Sequence, residues 1–133
     1  MKAENGKMNE PPPGRVRGDL NARTKAFAIR VVQLYSELPK RREAQVIGDQ
    51  VLRSGTSVGA HFREAQRAKS DADFISKVEG ALQELEETQY WLEILVETGL
   101  VPEQKLVPLQ RETNEILAIF VTMVRNTKAK LYK

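Results

Sequence analysis

The chain has 133 residues, enough for one domain with a real core and too few to expect two. Hydrophobic residues make up 41% and charged residues 29%, ordinary proportions for a soluble globular protein. There are no cysteines, which excludes disulfides and thiolate metal sites and favours an intracellular setting.

No stretch approaches the roughly 20 apolar residues of a membrane span, and the N-terminus lacks the apolar region of a signal peptide. A cytoplasmic protein with no membrane partner is therefore expected. The net charge is only +3 but is unevenly spread. Residues 39–70 hold seven Lys/Arg against three Asp/Glu, residues 71–101 one against eight, and residues 102–133 six against three. Such alternation marks either partner recognition or charge matching between neighbouring helices.

Residues 1–19, MKAENGKMNEPPPGRVRGD, contain three consecutive prolines, three glycines and almost nothing apolar. Such a segment cannot offset its ordering entropy by burial, so a disordered tail is expected, followed by a folded unit over 20–133. From there every segment has helical period. Phe27, Val31, Leu34 and Leu38 share one face of a first helix, with Asp19 or Asn21 as cap and Pro39 after its end. Ile29 and Val32 fall beside that stripe.

A second helix is expected from Arg42 to Lys69, with Ile47, Val51, Val58, Phe62 and Ala65 as its core stripe and Gly55 at the stripe's edge. Gly48, Leu52, Thr56 and Gly59 lie on the flank away from Ile47. Ser70 or Asp71 offers an N-cap for a third helix carrying Ile75, Val78, Leu82, Leu85, Leu92 and Val96, with Gly99 as its C-cap. Trp91 and Ile94 fall well off this stripe. Pro102 opens a fourth helix with Leu106, Leu109, Ile116, Phe120 and Met123 inside and a basic C-terminal end. Four helices with short connections read as an all-α, antiparallel up-down bundle.

The glycine-rich stretch RSGTSVGAHFREAQRAKS, residues 53–70, has three candidate meanings. A phosphate-binding loop needs glycine, four residues, glycine, then Lys and Ser/Thr after a strand, and Gly55 and Gly59 do not fit that spacing. Nucleophilic chemistry at Ser54 or Ser57 lacks an elbow, and the sole histidine, His61, lies on the same helix. Close helix approach fits best. An interior glycine costs about 1 kcal/mol relative to alanine, and a neighbouring backbone in contact compensates. With surplus apolar residues on three helices, Gly48, Leu52, Gly55, Gly59, Trp91 and Ile94 are the expected helix-packing or subunit-contact positions.

The stretch from LPKRREAQVIGDQVLRSGTSVGAHF through EAQRAKSDADF to LQELEETQYWLEILVETG resembles the four-helix-bundle proteins encoded in intervening sequences of bacterial 23S rRNA genes. The likeness spans about residues 22–125, and RSGTSVGA, EAQRAKS, DF and the ET-x-YWLE segment are its most specific parts. It implies an all-helical protomer assembling into a ring-shaped homopentamer. The family is also similar to the accessory variability determinant of diversity-generating retroelements, a basic pentamer that binds nucleic acid and a reverse transcriptase. It supplies no catalytic residues. His61 stands where the family usually has asparagine, which favours a side-chain hydrogen bond as the role of that position.

A di-metal carboxylate site would need Glu-x-x-His motifs, which the chain lacks, and Glu79, Glu86 and Glu93 fall on the expected outer face of the third helix. No metal, cofactor or enzymatic activity is therefore expected. Arg42, Arg53, Arg63 and Arg67 lie opposite the core stripe of the second helix. They form either a phosphate-contacting band, multiplied in a ring, or one half of an ion-paired seam with the acidic third helix. The two functions that follow are nucleic-acid (rRNA) binding through a basic face and, as the alternative, a scaffold docking a basic protein partner on the acidic helix.

Overall fold

The computed structural model describes residues 13–132, with side chains from Asp19 onward. Four helices follow one another: α1 (Pro13–Glu37), α2 (Arg42–Ala65), α3 (Asp71–Glu97) and α4 (Glu103–Leu131). Each packs on the next in an antiparallel up-down bundle, and α1 and α4 meet only slightly where the bundle closes. Among the described residues there is no strand.

The expected tail over residues 1–12 lies outside the described residues. Pro13–Asp19 form the first turns of α1, so the helix begins before the cap expected at Asp19 or Asn21. Proline suits a first helical position, where its missing N–H would have no partner and its fixed φ is already helical. The second helix starts at Arg42, as expected, but stops at Ala65 rather than Lys69. Arg67 and Ala68 donate backbone N–H bonds to Glu64 and Ala65 in tight turns that reverse the chain toward α3.

Ser70 caps α3, accepting the Asp73 N–H at 3.1 Å, with Asp71 and Asp73 in the first turn facing the helix's positive end. Gly99, at φ +75°, follows the end of α3 in the left-handed conformation that favours glycine. Pro102 stands at the N-cap of α4, one residue outside the helix it was expected to open.

The core is built from Phe27, Val31, Val51, Val58, Phe62, Leu85, Leu92, Ile116 and Phe120, with Phe62 and Phe120 stacked at 5.2 Å. Ile47, Leu34, Leu82, Val96 and Met123 are only half-buried. Three threonines occupy core positions instead. Thr24, Thr88 and Thr113 each donate a hydroxyl hydrogen to the carbonyl four residues earlier, at 2.8 Å, and so enter the core with their polar group satisfied.

Candidate nucleic-acid interface

The glycines of α2 are the floor on which α1 lies. A methyl group at Gly55 would sit 2.7 Å from Val31 Cγ2, and one at Gly59 would sit 3.0 Å from Thr24 Oγ1. At Gly48 it would collide with Leu38 Cδ1 and press on Tyr35. Thr24, Val31 and Leu38 recur at seven-residue steps, so one row of α1 side chains drops into the glycine row of α2. The close approach anticipated for Gly48, Gly55 and Gly59 is thus a seam within one subunit. Leu52 is half-buried beside it.

The α2/α3 seam is polar in its middle. Ser54 Oγ and Thr88 Oγ1 lie 2.7 Å apart, fully buried. Because the Thr88 hydrogen goes to the Glu84 carbonyl, Ser54 is the donor. Just outside this pair, Arg53 reaches Glu84 at 3.3 Å and also contacts Glu87. His61 Nε2 lies 3.5 Å from the other Glu84 oxygen, and the ring covers Gly80, where a methyl group would come within 3.0 Å of Nδ1. The polar contact expected of His61 is made to this carboxylate. Gly80 was not singled out by the sequence; its signal is a glycine across the seam from the only imidazole.

The four arginines of the expected basic face have different fates. Arg53 is engaged by α3. Arg42 opens α2, while Arg63 is in its last turn, which separates them by about 32 Å along the helix. Arg63 and Arg67 stand together at the α2–α3 end, exposed and with no ion pair among the described residues. Lys69 and Arg125 share that end. Lys128 and Lys130 of α4 reach across to Glu79 at 3.2 Å and Asp71 at 3.6 Å.

Sequence reasoning missed Lys25, whose helical position brings it to a shallow groove of about 310 Å³ between α1 and α2. Ala28, Gly59 and Ala60 line this groove, and Arg63 stands on its other side. The other missed device is Arg23, which holds Glu112 through two bonds (2.7 and 2.8 Å) and Glu115 through a third (2.6 Å). This clasp ties α1 to α4. The Arg23 hydrogen bonds hold the Glu112 carboxyl below its ordinary range, against the opposing effect of partial burial.

Two apolar features lie outside the core. Ile29 and Val32 are exposed on α1. On α3, Tyr90 is exposed and meets half-buried Trp91 edge-to-face at 5.0 Å, with half-buried Ile94 one turn on. The Trp91 indole N–H is itself buried and meets no acceptor among the described residues.

These features define an all-α bundle with a glycine seam, an ion-paired second seam and one basic end. A family model described as 23S rRNA-intervening sequence protein matches residues 19–122, and the chain belongs to that family. Among solved structures, the chain is similar to a protein of unknown function from the S23 ribosomal protein family of Bacteroides thetaiotaomicron. The two are 37% identical, with a TM-score of 0.76, over 82% of this chain and 97% of that one. No curated protein matches. Among the described residues, no helix is long and apolar enough to cross a membrane.

Proposed function

We propose that this protein is a non-enzymatic, cytoplasmic homo-oligomer that binds nucleic acid, with rRNA as the ligand its family association favours. The observation that carries the reading is the pair Arg63 and Arg67, exposed and with no ion pair among the described residues at one end of the bundle, where Lys128 and Lys130 are balanced by carboxylates. Unbalanced guanidinium groups suit phosphate contact, and no element offers a base-reading motif. The apolar side chains left exposed on α1, α2 and α3 support assembly. The pentamer is what the family resemblance implies.

The test is binding of a single-stranded RNA as a function of salt. Affinity should fall steeply with salt, depend little on sequence, and weaken with a flatter salt slope in the Arg63→Gln/Arg67→Gln variant. Equal binding by the folded variant at every salt concentration would remove this end from the mechanism. The alternative is a scaffold docking a basic protein, favoured by Glu86 and Glu93, exposed on α3 with no ion pair among the described residues.

A further inference from the structure

We infer that the last turns of α4 hold single-stranded nucleic acid, with the Tyr132 ring as a platform for one unpaired base and the phosphates on the cations around it. The inference rests on the nucleic-acid reading above and adds to it the form of the strand and the side chain that meets its bases.

The family match ends at Thr122, yet α4 runs on to Leu131. Residues 123–133 hold four Lys/Arg and no Asp/Glu. This added length is held in place. Tyr132 donates its backbone N–H to the Lys128 carbonyl at 2.9 Å, so the helical ladder reaches the residue that carries the ring. Lys128 and Lys130 bridge to Glu79 and Asp71 of α3.

Val124 is the last buried side chain of α4, and Leu131, two turns further along the same stripe, is 41% exposed. The core runs out before the helix does. Tyr132, at 77%, is the most exposed large hydrophobic side chain among the described residues. It shares a helix face with Arg125 and Lys128, at steps of three and four.

The antiparallel pairs Lys128–Glu79 and Lys130–Asp71 set Tyr132 level with residues 69–75, the entry to α3 and its first turn. Lys69 and Arg67 stand on the chain reversal just before. Only four residues, at most about 14 Å of chain, separate Arg67 from Asp71. Arg63 lies one helical turn earlier on α2.

The charges of this end leave an excess of cations. Asp71, Asp73 and Glu79 are engaged by Lys130, Lys77 and Lys128. Asp19 and Glu64 then remain against Arg63, Arg67, Lys69 and Arg125, none of the six in an ion pair among the described residues.

An open aromatic ring beside unbalanced cations suits a polyanion whose bases are free to stack. Single strands offer such bases, whereas a duplex keeps its bases stacked on one another. Stacking tolerates any base, which agrees with the lack of a base-reading motif. A membrane surface fits less well. An interfacial helix needs an apolar face along its length, and that of α4 is spent on the core, leaving Leu131 and Tyr132 at this end.

The probes are a mixed-sequence single-stranded RNA, the same RNA annealed to its complement, and phosphatidylglycerol vesicles. Tyr132→Ala should lower single-strand affinity at least fivefold, by the same factor at every salt concentration, because stacking releases no counterions. Its loss on the duplex should be under twofold, and Tyr132→Phe should bind the single strand within twofold of the parent. Arg63→Gln/Arg67→Gln should instead flatten the salt slope. Unchanged single-strand binding in Tyr132→Ala, an equal loss on the duplex, or a Tyr132→Phe variant as weak as Tyr132→Ala would overturn the platform and leave the nucleic-acid reading standing. Vesicle binding lost in Tyr132→Ala with RNA binding kept would assign the ring to a membrane instead. A parent that binds neither RNA would overturn both readings.

Discussion

Alanine at Gly55 would ordinarily strengthen a helix, by about 1 kcal/mol. Here its methyl group meets Val31 at 2.7 Å from Cγ2 and 3.0 Å from Cγ1, and a β-branched side chain has no rotamer that clears both. Gly55→Ala is therefore predicted to destabilise the bundle by about 1–3 kcal/mol in urea unfolding, and a stabilised variant would contradict the seam. The Arg23 clasp makes a prediction in pH. Glu112 is held below its ordinary value of 4.5, so its contribution is present above that value and is lost as pH falls through the lowered one. Glu112→Gln should cost about 1 kcal/mol at neutral pH, a gap that closes on acidification, as thermal or urea unfolding at several pH values will show. The glycine row was legible because glycine inside a helix demands a reason. Arg23 was not, since one arginine among many gives no sign of which carboxylate, 89 residues away, it will face.

At the scale of elements, all four helices could be read from apolar period, and Ser70, Gly99 and Pro102 marked boundaries through local hydrogen-bonding chemistry. The errors have physical causes. The first helix extends back to Pro13 through residues with no apolar period to announce it, and the second ends early because the chain must turn to place Ser70 as a cap. Thr24, Thr88 and Thr113 were passed over as polar, although their spacing matches the core and each bonds the preceding turn. Ser70→Ala should lose about 1 kcal/mol by freeing the Asp73 N–H, with the loss read from urea unfolding. Pro108, exposed inside α4, leaves the Gln104 carbonyl without its usual i+4 donor. Pro108→Ala should raise stability by about 1–3 kcal/mol in the same assay.

Across the whole molecule, charge alternates along the sequence, and the fold uses much of it internally: Arg53 against Glu84 and Glu87, Lys128 against Glu79, Lys130 against Asp71. Charge counting alone could not separate these pairs from Arg63 and Arg67, which have no ion pair among the described residues, because the sorting depends on which helices become neighbours. One subunit offers few free guanidinium groups at its basic end, and a ring multiplies them. Assembly is thus the claim on which the functional account turns. Light scattering of the full chain across a micromolar dilution series tests it most directly. The account predicts one stable species at a small whole-number multiple of 15.1 kDa, and a constant mass of 15.1 kDa would contradict it.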